Sequence, residues 1–163
     1  MRFHLAFTSL LAAASLALVP CVEGKHVFAH YLVGTVTQDH AQTDINDALA
    51  AGISGFSLNI GDPSAEYVID TLNYMFDYAP SVGFLLHISM DVSASGGDPN
   101  AFNDIVRGYV GKPGYFAPSA GKPFVTTFSD GGQTNTAWDA WKLATLANDL
   151  FFCPDFDGTA GYL

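Results

Sequence analysis

Cysteine, basic side chains and glutamate are all scarce in this chain, and each scarcity closes off a class of protein. Two cysteines occur, Cys21 and Cys153, which excludes a disulfide framework and a zinc site of Cys/His spacing. Six Lys and Arg stand against sixteen Asp and Glu, for a net charge of −10, so nucleic acid is not an expected partner. Glutamate is confined to Glu23 and Glu66, and a search for catalytic carboxylates therefore falls on aspartate. No Asn-x-Ser/Thr acceptor is present. Gly34-Thr35-Val36-Thr37, after the first strand-like run, lacks the glycine spacing with which a helix start cradles a phosphate. No metal or other cofactor is expected.

What is present begins with a leader. Met1 to His4 carry one early positive side chain, Arg2, and Leu5 to Val19 form an apolar run, the pattern of a secretory signal peptide. The run is too short and too rich in Ala and Ser for a membrane span. The small residues near Val22-Glu23-Gly24 place cleavage after Gly24, which makes 1–24 a signal peptide and 25–163 one domain with no membrane span after cleavage. One residue of each sign leaves with the leader, so the charge is unchanged, and an extracellular or cell-wall location is expected. Cys21 leaves too. Cys153 then either has a partner in sequence outside this chain or, as Phe151 and Phe152 beside it suggest, is a buried thiol acting as a small hydrophobe.

The rest alternates. Val27 to Val33 reads as a strand, Asp44 to Ala51 as a helix capped by Thr43 and stopped by Gly52, and Gly55 to Ile60 as a second strand. Val68, Leu72, Met75, Phe76 and Ala79 mark the buried stripe of a helix that Pro80 ends. In the stretch from Gly83 to Gly97, Phe84, Leu86, Ile88, Met90 and Val92 fall on one strand face, and Leu85, His87, Ser89 and Asp91 on the other. The first face is wholly apolar. The second grows polar toward a Gly-rich loop, as in a parallel strand covered outside by helices whose inner face leads to a ligand pocket. Phe102, Ile105, Val106 and Tyr109 mark a third helix, Gly111 to Lys122 a connector, Pro123 to Phe128 a fourth strand, Trp138, Trp141 and Leu146 a fourth helix, and Leu150 to Asp155 a fifth strand.

Connections this long imply parallel strands and right-handed crossovers, hence an α/β fold. Two architectures fit: a five-stranded doubly wound sheet, or a (β/α)₈ barrel of the TIM type, which needs ~250 residues and would stop here after about five βα units.

Phe28-Ala29-His30-Tyr31, Thr37-Gln38-Asp39-His40-Ala41-Gln42-Thr43-Asp44-Ile45, Gly55-Phe56-Ser57-Leu58-Asn59-Ile60-Gly61 and Phe128-Ser129-Asp130-Gly131-Gly132 occur in an order that resembles glycoside hydrolase family 71, the fungal endo-α-1,3-glucanases or mutanases. The similarity runs to Cys153-Pro154-Asp155-Phe156. It implies a secreted (β/α)₈-like catalytic domain that hydrolyses α-1,3-glucan with inversion. In the family the acid and base are associated with an Asp-x-x-Glu stretch on a later strand, which no segment up to Leu163 matches. The chain is therefore expected to be the amino-terminal part of such a domain, with its catalytic pair beyond Leu163. The alternative is a non-catalytic carbohydrate-binding remnant.

Strand ends are where a barrel collects its chemistry. Asp62, Asp91, Asp130, Asp155 and Asp157 lie at or just past such ends, although Asp in these places also caps helices and shapes turns. His30, Tyr31, Asn59 and His87 are candidates for hydrogen bonding to sugar hydroxyls. The spacing of Trp138 and Trp141 favours core packing over a sugar platform.

Overall fold

The computed structural model describes residues 25–118, 121–145 and 149–155. The leader, Leu146, and Asp157 among the candidate site residues lie outside these.

Five strands form one sheet: β1 Phe28–Leu32, β2 Gly55–Ile60, β3 Leu85–Asp91, β4 Phe124–Ser129 and β5 Phe151–Cys153. All are parallel and their spatial order is β1-β2-β3-β4-β5. A doubly wound sheet reverses its strand order at a switch point. This one never does, so the doubly wound alternative is excluded and the arrangement is that of five consecutive barrel units.

Between the strands run the helices α1 Gln38–Ala50, α2 Glu66–Tyr78, α3 Asn103–Tyr109 and α4 Asn135–Thr145. Uniform right-handed crossovers put all of them on one face of the sheet. That face carries Leu58, Ile60, Leu86, Ile88, Met90 and Val92, which pack with Val68, Leu72 and Met75 of α2, all with no exposed surface. Burying each such side chain contributes roughly 1.5–3 kcal/mol. Thr71, equally buried, donates its hydroxyl to the Gly34 carbonyl oxygen at 2.8 Å, tying α2 to the loop after β1. Trp138 and Trp141 of α4 are core residues, both about 5.0 Å from the Phe152 ring.

Two local readings are corrected. α1 begins a turn and a half before Asp44, because the side chain of Thr37 accepts a hydrogen bond from the His40 amide and caps it there. Thr43 lies inside the helix and donates to the Asp39 carbonyl. Cys153 is exposed, since strand alternation buries Phe152 against the tryptophans and turns its neighbours the other way.

The connector before β4 also builds sheet. Tyr115 forms a bridge to Leu86, the Leu86 amide donates to Gly114, and the Phe116 amide returns a bond to Leu86. Above this wedge the Tyr115 hydroxyl accepts from the Ile88 amide of β3 at 3.3 Å and donates to the Phe124 carbonyl of β4 at 3.0 Å. A phenol thus completes the ladder where the two strands part.

Candidate active site on the concave face

The other sheet face is built by the second phase of each strand. Register aligns His30, Ser57 and His87, and then Leu32, Asn59, Ser89, Thr126 and Cys153. This face curves inward. Phe28 of β1 meets His87 of β3 at 4.8 Å between ring centroids, across the width of β2. Gly55 permits this, because a side chain there would land on the Phe28 ring and the Leu85 carbonyl oxygen. His87 also lies two residues beyond Leu85, which is level with Phe28, the stagger expected of tilted strands in a barrel.

At the amino-terminal end the face is closed by rings. Phe116, carried in by the connector, lies 4.7 Å from Phe28 and 5.7 Å from Phe124. With these two it cages His87, whose centroid is 4.9 Å from Phe124 and 6.3 Å from Phe116. Burial in that cage disfavours the imidazolium and lowers the His87 pKa to about 4, so the ring is neutral near pH 7. Its Nδ1 has no hydrogen-bond partner, and neither has the buried Oδ1 of Asn59 one level higher.

At the carboxyl end His30 stacks on Phe128 of β4, with centroids 4.9 Å apart and ring planes 16° from parallel. Phe128 occupies a register break: Met90 pairs with Thr127, but Asp91 pairs with Ser129. A bulge of this kind re-aims the extra side chain, here over the sheet. Asp91, half-buried at the rim, accepts from the Ala94 amide at 3.1 Å. Next to it a cleft of about 560 Å³ opens between the loops after β2 and β3, lined by Asp62, Pro63 and Ser64 on one side and Ala94, Ser95 and Gly96 on the other. Asp62 is exposed and its carboxylate accepts from both the amide and the hydroxyl of Ser64, which hold its pKa below the usual carboxylate value.

The candidate residues thus separate. His30, Asn59, His87 and Asp91 share the concave face, and Asp62 stands at the adjoining cleft. Tyr31 does not join them: it points to the helix side, where its hydroxyl donates to Asp44 of α1 at 2.7 Å and its ring packs 4.8 Å from Phe56. Burial and the Asp44 carboxylate raise its pKa well above the ordinary tyrosine value. Asp130 is fully buried just past β4, where its carboxylate accepts from the Gly132 amide at 2.8 Å. Asp155 is exposed, and its backbone amide donates to the Thr127 hydroxyl at 2.7 Å. Phe116 is the site residue that strand phasing does not reach. Its one sequence signal is the aromatic pair Tyr115-Phe116 within a Gly/Pro connector.

Hydroxyls, an amide, two imidazoles and ring faces around a rim carboxylate suit a neutral, hydroxyl-rich ligand. Among the described residues no cluster of three His, Cys, Asp or Glu could hold a metal ion, and no helix is long and apolar enough to cross a membrane.

Known proteins point the same way. The model of glycosyl hydrolase family 71 matches residues 23–162. Glucan endo-1,3-alpha-glucosidase agn1 of Schizosaccharomyces pombe is 34% identical over 146 residues, which are 81% of this chain and 34% of that protein. Mutanase Pc12g07500 of Penicillium rubens is 32% identical over 127 residues, 76% of this chain and 27% of that one. The chain therefore spans between about a quarter and a third of the length of these curated relatives. Among solved structures, the GH99 endo-alpha-mannosidase from Bacteriodes thetaiotaomicron aligns with a TM-score of 0.57 over 79% of this chain and 52% of its own, at 15% identity. That likeness concerns the fold.

Proposed function

Given that the chain belongs to glycosyl hydrolase family 71, we propose that it forms the amino-terminal part of a secreted enzyme that hydrolyses the α-1,3-glucosidic bonds of fungal cell-wall glucan. The observation that carries this reading is the concave face: polar side chains from adjacent parallel strands converge toward the carboxyl ends, where barrel enzymes keep their sites. His30, Asn59 and His87 hold the sugar, and Asp91 and Asp62 stand at the rim as the carboxylates nearest the substrate. Asp130 and Asp155 act behind them, shaping the strand ends. The inverting mechanism sets an acid and a base ~6.5–9.5 Å apart across the scissile bond. The family's Asp-x-x-Glu stretch, which this chain does not contain, supplies that pair.

Processing after Gly24 would release the domain to the cell exterior, and an amino terminus at Lys25 in secreted protein is the measurement that checks it. For the reaction, proton NMR of products from α-1,3-glucan is expected to show the β-anomer first, the signature of inversion. First appearance of the α-anomer refutes inversion, and no release of reducing ends by a chain extended through the Asp-x-x-Glu stretch refutes the glucanase reading.

A further inference from the structure

Asn59 Oδ1 and His87 Nδ1 are buried on the concave face without a hydrogen bond, the two residues each 3% exposed. Natural folds rarely leave such atoms unsatisfied. The two residues stand on adjacent parallel strands, His87 level with Ser57 and Asn59 two residues further on, a sheet diagonal of roughly 8 Å from the strand spacing and rise. Two further orphans, the indole nitrogens of Trp138 and Trp141, belong to the helix side and face no site. The concave pair is different because of the face it lies on. β2 and β3 lie between β1 and β4, so the His30–Phe128 stack, in reaching from β1 to β4, spans the two strands that carry Asn59 and His87. Both residues of the stack are exposed, Phe128 to 49%, and exposed rings change rotamer quickly.

We propose that Asn59 and His87 form the polar floor of a subsite for one uncharged pyranose ring, closed in the free protein by the His30–Phe128 stack and opened when the sugar parts those rings. The chemistry fits a hydroxyl. A neutral imidazole offers one donor and one acceptor, an amide offers both, and a sugar hydroxyl answers either. An anion does not fit, since it only accepts, Asn59 Oδ1 only accepts, and the walls around His87 are the phenyl rings of Phe28, Phe116 and Phe124. The assignment of the ring to α-1,3-glucan rests on the glucanase reading above, whereas the subsite itself does not.

The test is a titration of the ¹⁵N-labelled protein with an α-1,3-linked glucotriose, followed in the imidazole nitrogen and proton resonances. Two changes are expected together: a shift of His87 Nδ1 as it gains a hydrogen bond, and loss of the ring-current shift that Phe128 imposes on His30. Asn59→Leu and His87→Phe are each expected to weaken binding tenfold or more. The wild-type spectra decide the matter even if a variant folds poorly. Binding with the His87 resonances unmoved overturns the subsite and leaves the glucanase reading intact. Both changes with an α-1,4- or β-1,4-linked glucotriose, and none with the α-1,3-linked one, support the subsite and remove the glucan assignment. No response of His87 to any of the three overturns the subsite, with the glucanase reading judged separately by release of reducing ends.

Discussion

The imidazole of His30 and the phenyl ring of Phe128 lie flat against each other, 4.9 Å apart, although their strands are separated by two others. Contact over that span requires a sheet bent toward its own inner face, so one ring pair reports the curvature of the whole arc. The pair is half in solvent, and its removal has a bounded effect. Phe128→Ala is expected to lower stability by about 1–3 kcal/mol, the aromatic pair adding to the burial of a half-exposed ring, as read by urea denaturation. It is also expected to expose Asn59 and His87, seen as faster solvent exchange of the Asn59 side-chain amide.

The His87 cage makes a pH prediction. Its folded pKa is lowered to about 4 from an unfolded value near 6.5, so between those two pH values the unfolded chain binds the extra proton. Stability contributed by keeping His87 neutral is therefore whole above the upper value and is lost as the pH falls toward the lower one, by up to roughly 3 kcal/mol. His87→Phe is expected to flatten the stability profile between pH 6.5 and 4. An equal slope in wild type and variant would show that His87 does not carry it.

Tyr115→Phe isolates one hydroxyl. Without it the Ile88 amide and the Phe124 carbonyl lose their shared partner in a part-buried setting, a change expected to destabilise by about 1 kcal/mol. Hydrogen exchange gives the local signature: the Ile88 amide should lose protection relative to Leu58 on the neighbouring strand. Uniform loss across the sheet would mean that the bridge is not local.

Gly55→Ala tests the crossing of Phe28 over β2. The added methyl meets both the Phe28 ring and the Leu85 carbonyl oxygen, and overpacking of this kind costs about 1–3 kcal/mol. Shortening the ring in Gly55→Ala/Phe28→Leu should restore part of that stability and not all, because the carbonyl oxygen stays. Complete rescue would assign the whole effect to the ring.

Tyr31→Phe serves as the contrast to the concave residues. It breaks the bond to Asp44 and is expected to cost about 1 kcal/mol of stability while leaving affinity for an α-1,3-linked glucotriose unchanged. A loss of affinity would bring the helix side of β1 into the site.

Strand phase was the most legible feature of the sequence. The alternation through Phe84 to Val92 placed His87, Ser89 and Asp91 together on one face, where they stand. The same period-two rule separates Tyr31 from His30, and applying it to β1 as strictly as to β3 would have sent Tyr31 to the helices. The choice of architecture was not legible, because local periodicity says nothing of which strands are neighbours. Phe116 escaped for a related reason: it enters the floor from a connector, where no period applies, and only the wedge between β3 and β4 makes room for it. Thr43 was the cap that the sequence suggested, and it lies inside the helix. The hydroxyl that reaches an unpaired amide of the first turn is the one before Gln38.

The unreversed strand order has a consequence for how the molecule comes into being. Phe28 pairs with Gly55, Gly55 with Leu85, and Phe124 with Phe151, so each strand docks on the one made just before it. A polypeptide emerging from a ribosome at roughly 5–20 residues per second thus presents every new strand to an edge already in place, and helices that form within about a microsecond can cover the growing layer at once. The arc of five strands can be assembled in the direction of translation, one βα unit per step, with none of the five inserted between two made earlier.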